Sequence, residues 1–199
     1  MIAKGGRGFV IASAVAAVAF LPFQVFASVG FACLACFLAT MFRDPRRTVG
    51  DDIVAPADGM VREVDPERGF VSTYLALRNV HVTRAPMDGV IDRKTRFRGK
   101  HAPAFSRKTV KNERLELTLR SRLGDISIIQ MTGAIARRIV PYVDEGQALA
   151  KGDKLSLIRF GSRVDLYLPP DKTKILVTKG QRLRAGVTRI AEGQNGRAE

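Results

Sequence analysis

Glu113-Arg114-Leu115-Glu116-Leu117-Thr118-Leu119-Arg120 alternates without a break: Leu115, Leu117 and Leu119 share one face and Glu116, Thr118 and Arg120 the other. That period of two predicts a half-buried antiparallel strand. Outward from it run further short β-type segments, Met60 to Val64, Phe70 to Leu77, Val90 to Phe97, Asp125 to Met131, Lys154 to Phe160, Val164 to Leu168 and Ile175 to Thr178, punctuated by Gly, Pro and Asp. A mainly β domain follows. Ala134 to Val140 fits either a strand or a short helix.

Two segments recur. Ala55-Pro56-Ala57-Asp58-Gly59 returns thirty residues later as Ala85-Pro86-Met87-Asp88-Gly89, each ahead of an apolar run. Gly146-Gln147-Ala148-Leu149-Ala150-Lys151-Gly152 returns thirty-four residues later as Gly180-Gln181-Arg182-Leu183-Arg184-Ala185-Gly186. Duplicated strand-turn units suggest a pseudo-symmetric β-sandwich or barrel-sandwich-like domain. The competing reading is ordinary turn chemistry, since Gly, Pro and Asp are common at turns.

The N-terminus is of another kind. No charged residue stands between Phe9 and Phe42, 34 residues in which Pro22 and Gln24 separate Phe9 to Leu21 from Val25 to Phe42. A spanning helix needs about 20 apolar residues, so the run exceeds one span and falls short of two with a loop. It outlasts a signal-peptide core. Basic residues flank both ends, Lys4 and Arg7 before and Arg43, Arg46 and Arg47 after. The expectation is a membrane hairpin of helices over 1–42 with a linker at 43–50; a single tilted span is the alternative. Cys33 and Cys36, the only cysteines, lie inside this run and read as small apolar residues.

The chain has 199 residues, and 33 Lys+Arg against 19 Asp+Glu leave a net charge of +14. Lys4 and Arg7 carry two of those charges, so +12 belongs to residues 43–199. Such an excess calls for an anionic partner. With 7% aromatics there is little for base stacking, which argues against nucleic acid. No HExxH motif, Cys/His quartet, Walker loop or dinucleotide-binding loop occurs, so neither a metal nor a nucleotide is expected.

Only two histidines can titrate near neutrality, His81 in Asn79-Val80-His81-Val82 and His101 in Gly99-Lys100-His101-Ala102-Pro103. By itself, His81 is a strand residue of structural type. Gly161-Ser162 lacks the surroundings of a nucleophile elbow. It does place a hydroxyl directly after a glycine between two strand patterns, so Ser162 Oγ could reach the preceding carbonyl; an ordinary turn explains the dipeptide equally.

Several separated segments together resemble one family. They are Ala55 to Gly59, Asn79-Val80-His81-Val82-Thr83-Arg84-Ala85-Pro86, Pro103-Ala104-Phe105-Ser106, Lys111-Asn112-Glu113-Arg114, Ala136-Arg137-Arg138-Ile139-Val140 and Leu157-Ile158-Arg159-Phe160-Gly161-Ser162-Arg163-Val164 through Pro169. The chain after the apolar run resembles phosphatidylserine decarboxylase of the short, archaeal-like type. The resemblance implies a proenzyme that cuts itself between Gly161 and Ser162, with domain 51–199 parted into a β chain, 1–161, and an α chain, 162–199, held as a heterodimer. It implies that Asp58 orients and polarises His81, that His81 is the general base on Ser162, and that Ser162 becomes a covalent pyruvoyl cofactor. The substrate amine would form a Schiff base with that group, CO2 would leave, and His81 would donate the proton that completes phosphatidylethanolamine. Phosphatidylserine and an anionic membrane are the implied partners, and the cytoplasmic face of the cell membrane the implied place.

Longer members carry a second histidine three positions before the catalytic one, where this chain has Arg78, so that role does not transfer. His101 matches no motif position. Arg137 and Arg138 are candidates for lipid phosphate or for the membrane-facing surface. The alternative function is a membrane-anchored carrier or adaptor of biotinyl/lipoyl type, which shares such turns; its displayed lysine is missing, Asp171-Lys172-Thr173 after Pro169-Pro170 being the nearest approach.

Overall fold

The computed structural model describes residues 1–99, 112–133, 138–159 and 162–194. Gly161, His101 and Arg137, which carry expectations above, lie outside the described residues, as do 134–136. The chain divides into two compact units, Met1–Pro45 and Arg46–Glu199.

The first unit is a helical hairpin. A 3-10 turn over Lys4–Gly6 leads into α1 (Arg7–Phe20), and α2 (Val25–Met41) returns beside it. Pro22 sits in the turn between them, where its fixed φ and missing N–H suit a chain reversal better than a helix interior. Aromatic pairs close both ends, Phe20 with Phe31 at 5.5 Å between centroids and Phe9 with Phe42 at 6.1 Å. Ser28 Oγ donates to the Ala17 carbonyl, so a hydroxyl inside the apolar run finds a partner across the helices. The two helices hold 14 and 17 residues, and neither is long and apolar enough to cross a membrane. The single continuous span is therefore overturned, because the run breaks at the proline turn.

The second unit carries fourteen strands among its described residues, numbered along the chain. An eight-stranded antiparallel sheet has the order β13-β2-β3-β11-β7-β6-β5-β9. Its strands are β2 (Gly59–Asp65), β3 (Phe70–Leu75), β5 (Gly89–Phe97), β6 (Arg114–Ser121), β7 (Gly124–Thr132), β9 (Ala148–Leu149), β11 (Ser162–Tyr167) and β13 (Arg182–Leu183). A three-stranded sheet orders β4 (Val82–Arg84), β10 (Lys154–Ile158) and β8 (Ile139–Pro141). A second one orders β1 (Ile53–Val54), β14 (Arg189–Gly193) and β12 (Thr173–Ile175).

Leu115, Leu117 and Leu119 of β6 are buried as their alternation predicts, and they share one apolar core with Ile126 and Ile128 of β7, Val164 and Leu166 of β11, and Leu155 of β10. The expected strand at Ile175 to Thr178 instead ends at Ile175. The segment left open before Val140 contributes β8 at its end.

The two repeats fold as matching halves. Gly59 pairs with Leu183 and Gly89 with Leu149, the same position of the glycine motif in each case. Val61 N–H donates to Gln181 O and Ile91 N–H to Gln147 O; Gly180 N–H returns to Val61 O and Gly146 N–H to Ile91 O. The closing glycines match too, Gly186 N–H binding Ala55 O and Gly152 N–H binding Ala85 O. At φ of +73° and +86°, Gly186 and Gly152 adopt a left-handed conformation that favours glycine. Generic turn chemistry does not produce hydrogen bonds repeated atom for atom, so the duplication is structural.

Candidate active site

Ser162 opens β11, a strand with neighbours on both sides, and stands opposite Leu75 of β3 and Thr132 of β7. Strand alternation puts Ser162 on the face of Val164 and Leu166, toward the core. It is fully buried, and its Oγ has no hydrogen-bond partner. A buried hydroxyl left unpaired costs about 1–3 kcal/mol, so a core position would ordinarily be filled by Ala or Val. A group that must react is a reason to keep it.

His81 is also fully buried. From Leu75, opposite Ser162, the chain turns through Ala76 to Asn79, where Asn79 N–H donates to Ala76 O and Ala76 N–H to Asn79 Oδ1, both at 2.9 Å. His81 follows two residues later, and its carbonyl accepts from Ile158 N–H, four residues before Ser162. His81 is thus tied to the end of β10, and the turn that precedes it starts from Leu75, the residue opposite Ser162. His81 Nδ1 lies 2.8 Å from Asn79 O. A carbonyl only accepts, so Nδ1 carries the proton of the neutral ring and Nε2 carries the basic lone pair.

Asp58 does something other than what was expected. Its Oδ2 accepts from Arg47 Nη2 at 2.9 Å, and its Oδ1 accepts from Arg47 Nη1 at 2.5 Å and from Ala185 N–H at 2.8 Å. Both side chains are inside, with 4% of Arg47 and 10% of Asp58 exposed. No hydrogen bond joins Asp58 to His81: the carboxylate is committed to a permanent cation and a backbone amide, and the imidazole is oriented by Asn79 instead. Asp88, the matching residue of the second repeat, accepts from Lys151 N–H at 2.8 Å but is exposed.

Two features were not read from the sequence. Arg159, three residues before Ser162, has its pKa lowered by burial and then by the charge of Arg138, while its N–H donates to Arg138 O at 3.3 Å. The Arg138 charge disfavours the cationic form of Arg159, an effect that an anion beside the pair would relieve. The second feature is Gln130 of β7, fully buried, whose Oε1 accepts from Ser156 Oγ and, at 3.4 Å, from Thr83 Oγ1. Those two hydroxyls are 2.9 Å apart, and Gln130 Nε2 has no partner. A lone glutamine in an apolar strand pattern gives no sequence signal for such a network. Arg78 is exposed, and so is Arg138. Among the described residues, no group of three or more His, Cys, Asp or Glu is placed to hold a metal.

Comparison with known proteins matches residues 34–191 to the family described as phosphatidylserine decarboxylase. A phosphatidylserine decarboxylase proenzyme of Streptomyces griseus is 43% identical over 161 residues, covering 79% of this chain and 74% of that protein. A putative archaetidylserine decarboxylase proenzyme of Methanosarcina acetivorans is 38% identical over 209 residues, covering 99% of both. Another of that name from Halobacterium salinarum is 40% identical over 164 residues, covering 79% of this chain and 82% of its own.

Proposed function

Because the chain belongs to the phosphatidylserine decarboxylase family, as a proenzyme of the short type, we propose that it breaks its own backbone before Ser162 and then converts phosphatidylserine to phosphatidylethanolamine and CO2. The observation that carries this reading is Ser162 Oγ, buried and unpaired at the start of a core strand. In maturation His81 Nε2 takes the Oγ proton while Oγ adds to the carbonyl of residue 161. The C–N bond breaks, the proton passes to the departing amine, and the chain is joined by an ester. Loss of the Ser162 Cα proton expels the carboxylate of residue 161 and leaves dehydroalanine. Water then releases ammonia and a pyruvoyl-blocked N-terminus.

The buried setting of Ser162 fits such a group, since a carbonyl made there is kept from bulk water. When present, it supplies the electron sink that decarboxylation of an amino acid requires and that no side chain provides. The remaining work belongs to residues of this chain. The Arg138 and Arg159 charges favour the anionic headgroup, and His81 returns the proton to the carbon that loses CO2, a role that its buried, neutral-range imidazole supports. Asp58 supports the site indirectly, by fixing Arg47 and the turn at Ala185. The serine headgroup is common to the lipids named for the bacterial and archaeal relatives, so assays with both lipid types define selectivity.

The apolar hairpin and the basic second unit suit an anionic bilayer, on the cytoplasmic face of the cell membrane. The tip of the hairpin carries Phe23, 85% exposed, and Phe26, 92% exposed. The family assignment leaves no support for the carrier alternative; Lys172 lies in a turn, its N–H bound to Pro169 O.

Intact mass under denaturing conditions tests the reading. The expected result is two chains parted before Ser162, with the smaller one refractory to Edman chemistry, and one uncut, inactive chain from Ser162→Ala. Full activity in an uncut preparation would refute it.

A further inference from the structure

Two buried polar atoms of the domain core lack partners within one side-chain step of each other. Ser162 faces Thr132 across the β11–β7 ladder and Val164 faces Gln130. Because 130 and 132 share a face, Gln130 and Ser162 are diagonal neighbours on the inner side of the sheet, roughly 7–8 Å apart between backbones, a gap that a glutamine side chain spans. Gln130 Nε2 and Ser162 Oγ are the unpaired atoms.

The carboxamide is not loose. Ser156 and Thr83, opposite one another in the β10–β4 ladder, direct their hydroxyls to its Oε1. Thr83 lies two residues after His81, and Ser156 two before Ile158, whose amide binds the His81 carbonyl. The same short ladder therefore anchors the histidine and fixes one end of the glutamine. With Oε1 held, Nε2 is the end of the carboxamide left without an acceptor. Had Gln130 served only to satisfy Ser156 and Thr83, a side chain with no second polar end would avoid burying an unmatched donor.

We infer that Gln130 is a hydrogen-bond donor in maturation: Nε2 donates to the oxygen that becomes anionic when Ser162 Oγ adds to the preceding carbonyl. On addition that oxygen and the attacking Oγ are bonded to one carbon, so a donor able to reach Oγ has the length to serve it. No proton is transferred by Gln130. The charge forms as the C=O double bond opens, and it is lost when the C–N bond breaks. A preformed donor in a site closed to water is the arrangement that stabilises such a charge most.

The inference rests on the self-cleavage reading, and the experiment separates the two. Purified full-length precursor of the wild type, Gln130→Met, Gln130→Glu and Ser162→Ala is followed by gel and intact mass for appearance of the fragment beginning at residue 162, with circular dichroism and thermal melting to establish folding. Met keeps the length and removes the donor, and maturation should slow on the order of 10²-fold, the usual effect of deleting one such donor. Glu keeps the shape and loses the donor when ionised but regains an O–H donor when protonated. Its rate relative to wild type should therefore climb as pH falls, while the Met variant stays flat. Should the Met variant not fold, the Glu profile alone decides. Maturation of Gln130→Met at the wild-type rate, or a Glu variant whose relative rate ignores pH, overturns the role of Gln130 while Ser162→Ala remains uncut. Cutting in Ser162→Ala overturns the self-cleavage reading itself.

Discussion

Asp58 and Asp88 occupy the same place in two copies of one turn, and both accept an amide from the glycine motif that pairs with them. Only Asp58 also meets a guanidinium, because Arg47 reaches it from the segment preceding the first repeat. Removing one member of a buried pair leaves the other charge unmatched, so Asp58→Asn should cost about 3–5 kcal/mol. Asp88→Asn, at an exposed position, should cost no more than about 1 kcal/mol. Urea unfolding of the two variants checks the contrast, and equal losses would mean that Arg47 adds nothing to the Asp58 site. The motif around Asp58 was legible in the sequence, but its partner was not. Nothing in five residues says which arginine of a strongly basic chain will find the carboxylate. The resemblance implies that Asp58 orients His81, while the carboxylate's hydrogen bonds here go to Arg47 and the Ala185 amide; His81 and Ser162 are both fully buried.

At the scale of elements, periodicity was readable wherever a strand is long enough to show it. The β6 and β7 hairpin has eight and nine residues, and its alternation maps onto burial. The strands β1, β4, β9 and β13 hold two or three residues, too few for any period, and they exist because a partner already stands beside them. The repeats supplied what periodicity could not: β9 and β13 lie within the glycine motif and β2 and β5 begin at the Asp-Gly turns. The opening and closing glycines of the motif Gly146 to Gly152 differ in tolerance. A Cβ on Gly152 would come 2.8 Å from Val49 Cγ2 in a left-handed backbone, while one on Gly146 would meet nothing within 4 Å. Gly146→Ala should therefore lose only the roughly 1–2 kcal/mol of an Ala at positive φ, and Gly152→Ala more. Melting temperatures rank them, and a Gly146→Ala variant that melts below Gly152→Ala would show that the Val49 contact yields freely.

At the scale of the molecule, the unit Met1–Pro45 presents apolar side chains that no residue of its own covers. Val15, Val18, Phe23, Val25 and Phe26 are all more than half exposed. If the hairpin tip enters lipid, the double substitution Phe23→Glu with Phe26→Glu should reduce co-sedimentation with vesicles of anionic lipid by at least tenfold, without slowing cleavage before Ser162. Undiminished binding would locate the contact on the basic second unit instead, where rising salt would weaken it.

The position of β11 has a final consequence. Residues 162–194 supply an inner strand of the large sheet, its β13 edge, and two of the three strands, β12 and β14, of the sheet that contains β1. A backbone break before Ser162 thus severs the polypeptide without unfastening it, much as cutting one thread leaves a weave intact. The two pieces stay interlaced through four ladders, β11 with β3 and with β7, β13 with β2, and β14 with β1, and through a common core; only the small β4-β10-β8 sheet lies wholly within the larger piece. Maturation is expected to be invisible to size-exclusion chromatography, visible only after denaturation, and irreversible for any fragment once drawn out.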